Sequence, residues 1–306
     1  MENIIQAKQL SRKFGQHVAV NNVTLTLARG EVMALLGTNG AGKTTTLRLL
    51  TGELIPSSGS VHINDVDLNL HPCKAKRLLG YLPDIPPLYG DFTVDEFLFY
   101  CARLHKIKKF PARARIKQVK EFCELQSVGS RLIQKLSKGY QQRVGIAQAI
   151  LHQPIVIILD EPTNGLDPGQ IREMRDLIQH LKNDAGVLLS THQLNEVDQI
   201  CDRVQLLKDG ATVFSENINE LKRTHKIRIR FAGNIPIDEI NSFQEVIDTS
   251  SIDANTIDVN ASGNLDVLKN SLLAQSQLNN WNVVELYDVR ETLEDIFVTQ
   301  ILRTKY

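Results

Sequence analysis

Three unbroken apolar runs punctuate the first two-thirds of this 306-residue chain: Val32–Leu36, Ile155–Leu159 and Val187–Leu189. Runs without polar alternation are the pattern of strands buried on both faces of a parallel sheet. Ahead of the first run the chain alternates instead, in Val18-Ala19-Val20 and Val23-Thr24-Leu25-Thr26-Leu27, which predicts antiparallel strands within residues 1–30. From about Asp84 to Gln134 the pattern turns helical, and Thr93 is placed to cap a helix running through Val94 to Tyr100. A second helical pattern covers Val144 to Leu151. Past about Asn219 the character changes again. Lys226–Phe231 alternates strictly, Thr256–Val259 and Val283–Tyr287 read as further strands, and a helix is predicted near Leu265 to Leu278. Glu291 to Phe297 places apolar residues at helical spacing. The pattern predicts an α/β domain over residues 1–218 and a small α+β appendage over 219–306.

The turn after the first buried run carries chemistry. Gly37-Thr38-Asn39-Gly40-Ala41-Gly42-Lys43-Thr44 follows a strand and opens onto Thr45-Thr46-Leu47-Arg48-Leu49-Leu50, which reads as a helix. Strand, glycine-rich turn and helix N-terminus are the context of a phosphate-binding P-loop. Glycines let the backbone curl so that successive N–H groups face phosphate oxygens, and the helix dipole adds positive potential there. Lys43 then reaches the β- and γ-phosphates, and the Thr44 hydroxyl is placed for a magnesium ion.

Two acids, Asp160 and Glu161, follow the second buried run, at the strand end where ligands sit in open α/β sheets. Asp160 is placed to hold Mg²⁺, and Glu161 to orient or deprotonate a water. Neighbouring strand residues point to opposite sides, so the bend into Pro162 must bring both acids to one ligand. Between these elements Leu136-Ser137-Lys138-Gly139-Tyr140 leads into a helix, with Ser137 a plausible N-cap and Gly139 permitting close backbone approach to an anion. The third buried run ends on Ser190-Thr191-His192.

P-loop, Leu-Ser-x-Gly, apolar run with Asp-Glu, and the later histidine occur in the order of the ATP-binding-cassette (ABC) ATPases, and the chain resembles that family continuously over about residues 4 to 220. The resemblance implies a P-loop NTPase fold with an antiparallel β subdomain and a helical subdomain over about residues 84–145. It implies that ATP and Mg²⁺ bind along Gly37 to Thr45, that His192 contacts the γ-phosphate, and that Phe14 stacks on adenine. Leu136 to Tyr140 would be the signature motif, in which Ser137 and Gly139 reach across a dimer to ATP on the second subunit. Asn164 to Asp167 resembles the loop linking the two sites. One position departs from the pattern: after Gly80-Tyr81-Leu82-Pro83 the family usually has glutamine near the metal, and this chain has Asp84. The tail Thr292-Leu293-Glu294-Asp295-Ile296-Phe297 is similar to tails of ABC-2-type exporter ATPases, including gliding-motility and copper-enzyme-maturation systems.

Composition refines this picture. Equal totals of 35 basic and 35 acidic side chains argue against a general nucleic-acid binder. Cys73, Cys101, Cys123 and Cys201 are scattered, which suits reduced thiols better than a disulfide framework or a zinc site. No apolar run approaches the ~20 residues that span a bilayer, and the N-terminus lacks a signal-peptide shape. Joined to this, the resemblance implies a cytoplasmic ATPase on the inner face of the cell membrane, attached only through a separate permease subunit and paired with a second ATPase subunit. A basic stretch from Arg103 to Lys120 reads either as a solvated helix face or as a surface attracted to anionic lipids or an acidic loop. A soluble DNA-repair ATPase of the family would carry a coiled-coil insertion, and a translation-associated one two cassettes. A non-hydrolysing regulatory module is opposed by the presence of Lys43, Glu161 and His192.

Overall fold

A computed structural model describes residues 2–221, 226–289 and Phe297. The chain divides into two compact units, Met1–Ile218 and Asn219–Tyr306.

In the first unit, β1 (Asn3–Phe14) and β2 (His17–Ala28) form a long antiparallel hairpin, and β3 (Val32–Leu36) runs into α1 (Lys43–Leu50). There follow β4 (Ser58–Ile63), β5 (Val66–Asp67), α2 (Pro72–Lys76) and β6 (Leu79–Leu82). A helical stretch then carries α3 (Val94–Leu104), α4 (Lys109–Phe122) and α5 (Lys138–Ile150). The unit closes with β7 (Val156–Asp160), α6 (Pro168–Leu181), β8 (Gly186–Thr191), α7 (Leu194–Ile200), β9 (Arg203–Lys208), β10 (Ala211–Asn217) and the first residue of α8 (Ile218–Leu221).

Two sheets result. One is antiparallel with order β2-β1-β4-β5; the other has six strands ordered β10-β9-β3-β8-β7-β6, parallel throughout except for β10. All residues of β3, β7 and β8 are buried, as their unbroken apolar sequences require. Met33 and Leu35 of β3, Ile158 of β7 and Leu188 of β8 share one core with Leu47 and Leu50 of α1 and with Ile5, Leu10 and Leu25 of the hairpin. One face of the parallel sheet thus packs α1 and the antiparallel sheet together.

Local chemistry sets the helix starts. Thr93 caps α3 by a reciprocal box: its Oγ1 accepts from the Glu96 N–H at 3.2 Å, and Glu96 accepts from the Thr93 N–H at 2.8 Å. Ser137 caps α5 by accepting from the Tyr140 N–H, and Asp167 caps α6 ahead of Pro168.

The second unit contains β11 (Lys226–Phe231), α9 (Ile237–Asn241), β12 (Val246–Ser251), β13 (Thr256–Ala261), α10 (Leu265–Leu278) and β14 (Val283–Asp288). Its sheet is antiparallel, ordered β12-β13-β11-β14, so the connection is a split βαβ repeated, the ferredoxin-like arrangement. Ile227, Ile229 and Phe231 point into a core with Val259, Leu268, Leu272 and Trp281. Between them Arg228 forks onto the buried Asp258 at 2.6 and 3.0 Å, and Arg230 pairs with Glu285. Two elements escape the sequence pattern. β12 has apolar residues only at Val246 and Ile247 and is a strand because β13 pairs with it; α9 spans only five residues. The helical spacing noted at Glu291 to Ile296 lies outside the described residues; Phe297 is helical.

Candidate nucleotide site

Strand register builds the site. Leu36 pairs with Thr191, and Asp160 pairs with Ser190, so β3, β8 and β7 end level with one another. One residue beyond those ends stand Gly37, Glu161 and His192, at the C-terminal edge of the parallel sheet.

The Gly37–Gly42 loop curls back to start α1. Gly42 has φ +98°, and a Cβ there would meet the Ala19 carbonyl oxygen at 2.6 Å, so no other residue fits. It occupies the N-cap of α1 without a side-chain acceptor, and the first turn of α1 holds no acid. The free N–H groups of that turn therefore face the cleft uncompensated, a suitable setting for an anion. Lys43 is only 7% exposed; its ammonium donates to the Gly37 and Thr38 carbonyl oxygens at 2.9 and 3.4 Å.

Acids meet the loop from the neighbouring strands. Asp160 is buried beneath the cleft, its Oδ1 accepting from the Ser190 hydroxyl and lying 3.5 Å from Thr44 Oγ1. Glu161 leaves the strand with φ +48°, an unfavourable region for a non-glycine residue, and its N–H is held by Ser190 through both Oγ at 3.0 Å and the carbonyl at 3.2 Å. That reversal swings the Glu161 side chain to the loop side of the sheet. Its carboxylate stands 3.5 Å from Lys43 Nζ and accepts a 2.9 Å hydrogen bond from His192 Nδ1. The segment carrying His192 is fixed in turn: Thr191 Oγ1 donates to buried Glu196 at 2.9 Å and accepts from the Gln193 N–H. Burial, then the Asp160 carboxylate, hold the Tyr81 hydroxyl well above its ordinary pKa, so it remains neutral beside the acids.

These groups line a polar cleft of about 660 Å³, whose walls include His17, Ala19, Thr38, Asn39, Gly40, Gly42, Lys43, Thr44, Thr45, Asp84, Glu161, Asn164 and His192. Asp84 reaches it from the segment after β6, accepting from Asn164 Nδ2 at 3.2 Å. Ala41 lies buried within the loop. Six expected residues do not line the cleft: Gly37, Ala41 and Asp160 are buried beneath it, and Phe14, Ser137 and Gly139 lie outside it. Phe14 is 44% exposed at the hairpin turn, beneath the Arg12 guanidinium at 4.8 Å; Ser137 and Gly139 sit at the start of α5, where a Cβ on Gly139 would meet the Gln170 side chain. His17 and Ala19 carried no motif in the sequence, and Ser190 stood in the motif ending in His192 with no role assigned to it. Only the hairpin and strand register bring them to the site.

The comparisons agree with this geometry. The family model described as ABC transporter matches residues 20–164. The ABC transporter ATP-binding protein YxlF of Bacillus subtilis (strain 168) is 37% identical over 227 residues, 74% of this chain and 75% of that protein. The bacitracin transport ATP-binding protein BcrA of Bacillus licheniformis is 35% identical over 233 residues, covering 76% and 75%. A solved ATP-binding subunit of an ABC transporter superposes with a TM-score of 0.66 at 32% identity, over 72% of this chain and 92% of that one. Loop, acids, histidine and relatives converge: the chain belongs to the ABC transporter family, as one of its ATP-binding, ATP-hydrolysing subunits.

Proposed function

We propose that this subunit powers export, closing head to tail on a second ATPase subunit when ATP binds and reopening after hydrolysis. Subunits of the family work with membrane permeases, and the likeness to a protein named for bacitracin transport supports an exporter. The observation that carries the mechanism is the contact of one carboxylate, Glu161, with both Lys43 and His192 at the mouth of the P-loop.

In this reading Lys43 leaves its loop carbonyls to hold the β- and γ-phosphates, joined by the N–H groups of the Gly37 to Thr45 segment. Glu161 takes the proton of the attacking water, and His192 holds the γ-phosphate and the carboxylate in one geometry. Thr44 and Asp160 offer hard oxygen donors side by side, which fits Mg²⁺. When bound, the ion supplies charge neutralisation at the β- and γ-phosphates. Asp84, which lines the same cleft, would offer a further carboxylate oxygen toward the ion. Phe14 takes the adenine ring, and Ser137 and Gly139 complete the second subunit's site across the dimer. That division of labour accounts for their places outside this chain's own cleft. The protein acts at the cytoplasmic face of the membrane, where ATP is supplied.

The test is phosphate release with and without Mg²⁺ by the wild-type protein and by Glu161→Gln. The reading requires metal-dependent turnover that collapses in the variant while ATP binding persists; turnover at the wild-type rate in Glu161→Gln removes it.

A further inference from the structure

The segment from Arg103 to Lys120 contains eight Lys and Arg residues and no Asp or Glu, in a chain whose totals balance at 35 and 35. The fold separates these cations into two groups. Three are engaged: Arg115 donates to the Leu151 and Ile150 carbonyl oxygens at 3.1 and 2.9 Å, Lys120 pairs with Asp95, and Lys117 lies 3.8 Å from Glu121. The Arg115 and Lys120 contacts tie the inner side of α4 down, together with the buried Ala112, Ile116 and Val119, whereas the Lys117 pair lies within α4 and leaves Lys117 exposed.

The other five, Arg103, Lys106, Lys108, Lys109 and Arg113, are exposed, and among the described residues none has a carboxylate within ion-pair distance. Two large apolar side chains stand among them: Phe110 is 89% exposed and Leu104 63%. Phe110, Arg113, Ala114 and Lys117 fall at helical spacing on one exposed face of α4. A solvated helix face explains the lysines but not a fully presented phenylalanine at their centre. Unpaired cations around protruding apolar groups make a surface that gains from anionic headgroups by charge and from the acyl boundary by burial. The acids on the facing wall do not cancel it: Asp95 is held by Lys120, and Glu96 is occupied in the α3 capping box.

We infer that the N-terminal end of α4 and the loop before it bind directly to an anionic bilayer surface, Phe110 inserting between headgroups that Lys106, Lys108 and Lys109 attract. This contact is additional to attachment through a permease and is independent of the reading of the nucleotide site.

The experiment is co-sedimentation of the full chain with vesicles of phosphatidylcholine alone and of phosphatidylcholine mixed with phosphatidylglycerol, without nucleotide or permease. Binding is expected only to the phosphatidylglycerol vesicles, and its loss near 1 M salt, where the screening length shrinks to about 3 Å. Each lysine neutralised should weaken binding about fivefold, so the triple change Lys106→Gln, Lys108→Gln, Lys109→Gln should weaken it about a hundredfold. Phe110→Ser should weaken it about tenfold. All these positions are exposed, so nucleotide binding serves as the control for intact folding. Failure of the wild-type protein to bind the anionic vesicles, equal binding by the triple variant, or binding to an acidic polypeptide but not to vesicles would overturn the inference.

Discussion

The side-chain amide of Asn164 donates a 3.2 Å hydrogen bond to the carboxylate of Asp84. The bond links the segment leading into the helical stretch with the turn that follows Glu161, whose own backbone is closed by the Asn164 N–H on the Glu161 carbonyl at 3.1 Å. Asp84 departs from the family's usual glutamine, and here it has a partner on the turn that follows Glu161.

The consequence is a positioning role that can be measured. Asp84→Ala and Asn164→Ala should each bind ATP nearly normally and lose about tenfold in turnover, the worth of a hydrogen bond to a charged group. Their double variant should lose little more than either alone, because both act through one contact. Asp84→Gln keeps an oxygen acceptor for Asn164 and should recover most of the rate. Additive losses in the double variant would separate the two residues.

Lys43 and Glu161 are expected to fail differently. Lys43→Ala removes the cation from the loop and should abolish both ATP binding and turnover. Glu161→Gln should retain binding and slow hydrolysis by at least about a hundredfold, as loss of a general base does. Equilibrium binding of a fluorescent ATP analogue, measured beside phosphate release, distinguishes the two variants.

The slow Glu161→Gln protein provides the test of pairing. With ATP it should form a dimer by light scattering and return to monomer with ADP. A large residue replacing Gly139 should prevent that dimer while leaving ATP binding by the monomer intact, since Gly139 does not line the chain's own cleft. A monomer at high concentration with saturating ATP would count against the composite site.

His152 should make stability fall in mild acid. Its ring is stacked on His105 with centroids 4.0 Å apart, and Nε2 donates to the Leu79 carbonyl at 3.0 Å. Burial, then His105, lower its pKa to about 4. An unfolded imidazole titrates near 6.5, so between about pH 6.5 and 4 the unfolded chain binds the extra proton. The contribution is complete above that window and is lost as pH falls through it. Discounted for partial exposure, it is about 1–2 kcal/mol. Urea unfolding across the window should show a shallower decline in His152→Asn than in wild type. Parallel curves would place the acid sensitivity elsewhere.

How much of this was legible beforehand differs between the units. Apolar runs of only three to five residues, each ending at a turn or at polar residues, are too short for a buried helix. They read as strands buried on both faces, so β3, β7 and β8 were readable locally, and with them the α/β class. The loop from Gly37 to Thr44 was equally readable, because its chemistry is local: a backbone that must curl, a helix that must begin, and a lysine placed by its neighbours. In the appendage the strict alternation of Lys226 to Phe231 announced β11. β12 stayed hidden because an edge strand with so few apolar residues owes its state to pairing with β13, a contact made across sequence.

The site itself was decided at both levels. Sequence supplied Lys43, Asp160, Glu161 and His192 as candidates, because their motifs occur in a recognisable order along the chain. It could not show that Glu161 turns through φ +48° on the Ser190 carbonyl and hydroxyl, that Asp84 is bound to Asn164, or that His17 and Ala19 wall the cleft. It likewise listed the cations of Arg103 to Lys120 without separating those that tie down α4 from those left facing water. Those facts depend on distances between residues far apart in the chain. Strand register and packing set such distances, and no local pattern encodes them.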